Sequence, residues 1–163
     1  MAATFQFSES NGAGEVVTDG ISNINFGSID SPDLVPSANL ILRGESSFEK
    51  YIRGLFTGVF NEISNMKFWK SSGVFVTGES IKASQPYAPD YATPSEVANA
   101  DDDVPEDSGA ALILKSAEGG FTIVPGSGVS GYTGYIRLQL QSTILTPAGD
   151  VNEKEFTLQY DEN

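Results

Sequence analysis

Carboxylates are the chemically capable residues this chain holds at greatest density. Asp101, Asp102 and Asp103 run consecutively, and Glu106 and Asp107 follow. Hard cations such as Ca²⁺ gather about six to eight oxygen ligands, which makes Asp101, Asp103 and Asp107 candidate metal ligands. The spacing departs from the EF-hand loop, because Glu106 stands where that loop needs glycine. A solvated, self-repelling acidic loop is the favoured reading. Two carboxylates could also act as the acid and base of a glycosidase, but no pair stands out at a defined separation.

Aromatic side chains form the second candidate set. Trp69, Tyr87, Tyr91, Tyr132 and Tyr135 could build a platform on which sugar rings stack. Ordinary sheet packing or a subunit contact is the preferred reading. Trp69 follows Phe68 on a strand, so if Phe68 points into a core Trp69 points away from it.

The absences narrow the chemistry further. The chain has no Cys and no His. It therefore lacks a disulfide framework, a thiolate metal site and the usual general base near neutral pH. GxSxG and the phosphate-binding GxxxxGK[ST] are missing, and Gly126-x-Gly128 follows Pro125 without the strand and helix of a nucleotide loop. The expectation is a protein that is not an enzyme and needs no cofactor, with Ca²⁺ the one ion worth testing.

The elements that would position these residues read as short strands. Tyr135 to Ile144 alternates, with Ile136, Leu138, Leu140 and Ile144 on one parity and Arg137, Gln139, Gln141 and Thr143 on the other. Phe156, Leu158 and Tyr160 share a parity after a turn containing Pro147 and Gly149, which predicts a C-terminal hairpin. Ile136, Leu138, Leu140, Phe156 and Leu158 are the expected core, and Gln139 is expected to face water. Further strands are expected at Thr4–Phe7, Glu15–Thr18, Met66–Lys70, Val74–Thr77, Ile81–Ala83, Ala110–Lys115 and Phe121–Val124, the last two joined by a tight Gly119-Gly120 turn.

Ser46 to Phe60 fits two periods. Phe48, Tyr51, Ile52, Leu55, Phe56, Val59 and Phe60 follow a helical face, and Ser46 and Glu49 have capping-box spacing. Gly54, Gly58 and the β-forming residues around them favour a strand from Tyr51 to Phe60. Ser84 to Gly109 differs from the rest, with prolines, acids and no basic residue. It is expected to leave the sheets as a long loop that packs weakly on its own domain, with a short helix over Pro94–Ala100. The fold expectation is one all-β domain over residues 1–163, a two-layer sandwich or jelly-roll-like unit carrying this acidic, proline-containing loop at 84–109.

Charge and hydropathy bound the partners. The net charge is −13, from 22 acidic and 9 basic residues, which opposes binding to nucleic-acid backbones. No apolar run approaches the ~20 residues of a membrane span, and MAATFQFSES is not a secretory signal, so the reading is a product of the cytoplasm.

Several short strings occur together: Gln6-Phe7-Ser8-Glu9-Ser10-Asn11-Gly12, Thr18-Asp19-Gly20, Asn25-Phe26-Gly27, Phe56-Thr57-Gly58, Lys67 to Gly73 and Tyr160-Asp161-Glu162. In these strings, scattered over the whole chain, it resembles small structural proteins from the virion modules of tailed bacteriophages. The resemblance implies a β-rich accessory protein of the virion, associating as a homo-oligomer and contacting the major capsid protein or other virion proteins. It transfers no catalytic residue and does not separate capsid from tail. An acidic chain of this kind is expected on the outside of the shell, away from the DNA. A carbohydrate-binding or tail receptor-binding module is the alternative.

Overall fold

A computed structural model describes residues 2–85, 91–125, 131–149 and 152–163. Its strands are β1 (Thr4–Asn11), β2 (Val16–Asp19), β3 (Lys50–Thr57), β4 (Ile63–Ser72), β5 (Glu79–Ser84), β6 (Leu112–Ile113), β7 (Ile136–Ser142) and β8 (Glu155–Glu162). They form a five-stranded sheet in the order β2-β1-β3-β7-β5 and a three-stranded sheet in the order β6-β4-β8. Every pairing is antiparallel. The two sheets enclose one apolar cluster, which makes the architecture the all-β sandwich that the alternation predicts. Among the described residues there is no α-helix, only a 3-10 turn at Pro36–Ala38, and none long and apolar enough to cross a membrane.

The larger sheet contributes Ile52, Phe56, Ile81, Ile136 and Leu138 to the core, and the smaller contributes Ile63, Met66 and Phe68. Phe156 and Leu158 pack against this cluster while staying partly exposed, and the Phe156 ring stacks on Phe68 at 5.5 Å. The Ser46–Phe60 ambiguity resolves to a strand. β3 is buried on both faces, which is why its apolar residues imitate a helix pattern. Gly54 belongs to that packing, since a Cβ there would lie 2.8 Å from Phe5 Cε2 and 3.1 Å from Leu158 Cδ1.

Five expectations need correction. The C-terminal hairpin does not form: β7 pairs with β3 and β5 in one sheet, and β8 pairs with β4 in the other. Period-two alternation reports which face is apolar, and a hairpin and a crossing between sheets share the same alternation. Ile144, placed on the apolar parity, lies beyond β7 and is exposed. Gln139 is fully buried rather than wet. Val74–Thr77 and Phe121–Val124 are not strands, although Ile123 makes a lone bridge to Ile63. Pro94–Ala100 is not helical, because its backbone is engaged elsewhere.

That engagement overturns the weakly packed loop as well. Residues 91–101 lie along the outer face of the five-stranded sheet. The Gln139 amide donates to the carbonyls of Ser47 and Val97, at 3.0 Å each, and accepts from Asn99 N at 2.9 Å. Glu49 N donates to Ser95 O, and Gln141 Nε2 to Asn99 O. Backbone groups that a helix would pair internally are paired here with polar side chains of β7. Further on, Ala83 N donates to Asp102 O, Val104 N to Ile81 O and Lys70 N to Pro105 O. The acidic segment thus covers the free edge of β5 and ties it to β4 in the opposite sheet.

Candidate functional site

The acidic residues proposed as metal ligands are held apart by partners of their own. Arg137 grips Asp101 with two parallel hydrogen bonds, Nε to Oδ2 at 2.8 Å and Nη2 to Oδ1 at 2.6 Å, and Ser84 Oγ donates to Asp101 at 2.9 Å. Burial works to raise the Asp101 pKa, and these donors outweigh it, so the carboxyl sits below its ordinary value. Asp103 faces Lys82 at 2.7 Å on the surface. Asp107 accepts from Gly109 N and Ala110 N in its own turn. The three carboxylates do not converge, and among the described residues no group of acidic side chains is placed to hold a metal ion. A cleft of about 590 Å³ runs beside them, lined by Gln85, Asp101, Asp102, Asp103 and Leu112.

The aromatic set separates into two places. Trp69 is half-buried on the outer side of β4, with Phe68 turned into the core as its neighbour in sequence requires. Tyr87 falls outside the described residues, as do Gly126 and Gly128. Tyr91 and Tyr135 do meet, on the outer face of the larger sheet, joined by Tyr51, and Tyr132 is linked to them through Arg53. The Tyr51 and Tyr91 rings lie 5.0 Å apart and Tyr91 and Tyr135 5.6 Å apart. Their hydroxyls are occupied. Tyr91 donates to Gly12 O, Tyr132 to Asp19 and Tyr135 to Glu15. Burial, with the bond to Glu15, pushes the Tyr135 phenol up to about 12.

Arg53, which the sequence did not single out, is the unsatisfied member of this group. Its guanidinium lies 3.9 Å from the Tyr132 ring centre and 4.6 Å from that of Tyr135. It is only 8% exposed, its Nε is sealed from solvent without an acceptor, and no carboxylate among the described residues pairs with it. This arrangement leaves one buried hydrogen-bond donor, Nε, between aromatic walls.

On the opposite, inner face of the same sheet lies a second polar group. Glu9 and Lys50 are both completely buried and meet at 2.8 Å. Asn11 Nδ2 donates to the same Glu9 oxygen at 2.8 Å and to Asp30 Oδ1 at 2.6 Å. Burial raises the Glu9 pKa above its ordinary 4.5, more than Lys50 and Asn11 lower it, and Asp30 adds to the rise. Alternation held the signal for this group: Phe5, Phe7, Glu9 and Asn11 share one parity, and Lys50, Ile52 and Phe56 another. Charged residues in apolar registers mark a polar group placed inside.

The most exposed apolar surface lies at one end of the sandwich. Leu40 and Leu42 are each 63% exposed, Ile144 76% and Leu145 67%. Arg43 Nη2 donates to Ile144 O at 2.7 Å, and Ser142 Oγ donates to Leu42 O, which holds the two stretches side by side. Leu40 and Leu42 are thus presented outward while Ile41 between them packs against the core, and the 39–43 run is not paired in a sheet.

No family model, curated protein or solved structure matches this chain. What its own geometry defines is an all-β protein with a locked acidic strap, a tyrosine-arginine cluster, a buried charged cluster and an exposed apolar end.

Proposed function

We propose that this chain is a non-enzymatic structural protein of a tailed-phage particle, decorating or stabilising the outside of the capsid. The supporting observation is the apolar surface of Leu40, Leu42, Ile144 and Leu145 on a chain of net charge −13. Strong negative charge keeps copies apart in solution, whereas a contiguous apolar patch marks a surface that gains by being covered. The partners in this reading are the major capsid protein or another virion protein, together with further copies of the chain as a homo-oligomer. Repetition on a lattice turns modest contacts into firm attachment, and binding only the assembled lattice stabilises it by mass action. Purified particles should contain the chain at a copy number commensurate with shell symmetry, and Leu42→Glu with Ile144→Glu should reduce its incorporation. Its absence from purified particles, or turnover of a defined substrate, would refute the reading.

A second reading, a carbohydrate-binding or receptor-binding accessory module, draws on Arg53 and the tyrosines around it. In that reading a sugar ring would stack on the partly exposed Tyr132, whose own ring packs on the Arg53 guanidinium. Titration with host-surface oligosaccharides should then show saturable binding that Arg53→Gln abolishes. Unchanged binding in that variant would remove this alternative.

A further inference from the structure

We propose that Lys50 and Asn11 become joined by an intramolecular amide bond, formed inside the folded protein with Glu9 as its general acid and base. The inference concerns the covalent state of the chain and is independent of what the chain binds.

The arrangement contains each part that such a bond needs. Lys50 Nζ and Asn11 Nδ2 both donate to Glu9 Oε1 at 2.8 Å, so amine and carboxamide meet at one carboxylate oxygen. The register brings them together: Ser10 pairs with Tyr51 between β1 and β3, and one further step sets Asn11 beside Lys50. Glu9 and Lys50 are completely buried and Asn11 is nearly so, which excludes water as a competing nucleophile. Ser31 O accepts a second hydrogen bond from Lys50 Nζ at 2.7 Å and helps to fix it. Asp30 orients the carboxamide, accepting from Asn11 Nδ2. It also accepts from Gly12 N at 2.6 Å, which occupies the backbone nitrogen that could otherwise close a ring onto Asn11.

Two vacancies in the hydrogen bonding point the same way. Glu9 Oε2 and Asn11 Oδ1 are both sealed from solvent, both acceptors, and both without a donor. A proton taken up by the Glu9 carboxyl supplies the donor this pair lacks and polarises the Asn11 carbonyl. The burial that raises the Glu9 pKa favours that uptake. The nearest proton is on the Lys50 ammonium, along the 2.8 Å bond.

The step balances without a further reactant. The Lys50 ammonium gives one proton to Glu9 and becomes a neutral amine. Nζ attacks Asn11 Cγ and the new C–N bond forms. The Cγ–Nδ2 bond then breaks, and the departing nitrogen takes the proton held by Glu9 and the one displaced from Nζ, leaving as ammonium. Glu9 ends ionised, as it began. Proximity in a fixed, dry site supplies the rate that the same groups lack in water.

Intact-mass measurement of the folded full-length chain tests this. After allowance for processing of the first residue, the chain should be lighter than its sequence by one ammonia. A tryptic digest should contain a branched peptide linking Asn11 to Lys50, with no cleavage after Lys50. Lys50→Arg keeps the positive charge without an equivalent nucleophile and should retain the full mass. Glu9→Gln, if folded by circular dichroism, should lose ammonia about 100-fold more slowly or not at all. A wild-type chain at full sequence mass overturns the proposal, whatever the variants do. Ammonia loss that persists in Lys50→Arg overturns it too, since that result means ring closure onto Gly12. A Glu9→Gln rate equal to wild type removes Glu9 from the chemistry.

Discussion

Two ion pairs lie on opposite faces of the same sheet, and they behave differently. On the outer face Asp101 accepts two hydrogen bonds from Arg137 and one from Ser84, and its pKa is lowered. On the inner face Glu9 shares one oxygen between Lys50 and Asn11, leaves the other unpaired, and has its pKa raised. Both carboxylates are paired with a cation, so pairing alone does not set the direction. The decisive difference is how far donors replace the lost water. Full replacement makes a lock that holds the acidic strap in place, and partial replacement leaves a group in search of a proton.

Substitution of the cations separates the two cases most sharply. Lys50→Met removes the ion pair together with the proposed link to Asn11, strands the buried Glu9 charge and should cost at least about 3–5 kcal/mol in chemical denaturation. Arg137→Met leaves Asp101 nearer to solvent and should cost roughly 1.5–3 kcal/mol. Equal losses at the two sites would erase the distinction. Gln139→Ala should lie just below, at about 1–3 kcal/mol, because it orphans Asn99 N and the carbonyls of Ser47 and Val97 under the strap. It should also expose residues 91–103 to faster hydrogen exchange, and an unchanged exchange rate there would count against the strap as described.

Acid titration gives the two carboxylates opposite slopes. The lowered Asp101 group contributes stability that is present above its ordinary value of 3.8 and lost as pH falls through its folded value. The raised Glu9 group binds its proton more tightly when folded. Its contribution is complete below 4.5 and declines as pH rises towards the folded value. Denaturation midpoints across this range should therefore show Asp101→Asn removing part of the loss at low pH. Glu9→Gln should remove a decline on the side above 4.5. The smallest effect belongs to Lys82→Ala, whose exposed pairing with Asp103 should contribute less than about 1 kcal/mol and fade in high salt.

Much of the sandwich is legible in the sequence. Ile136, Leu138 and Leu140 took the core side that their alternation assigned, and β3 proved extended because Gly54 suits close sheet packing better than a helix interior. Glu9 and Lys50 were legible in principle, as charges on apolar parities. Arg53 was not, because its environment comes from Tyr132 and Tyr135, far along the chain.

The sequence by itself determined that Ile136, Leu138 and Leu140 share the inward face of their strand, since the period of a strand is a local property of the backbone. It also determined that thiol and imidazole chemistry are absent, which follows from composition alone. Only the tertiary structure decided that β7 and β8 stand in different sheets, because alternation is blind to the identity of a strand's neighbour. Only it decided that the polar face of β7 is covered. The acidic segment supplies backbone donors and acceptors that match Gln139 and Gln141 and a carboxylate that matches Arg137, and that match exists in space between residues about forty positions apart.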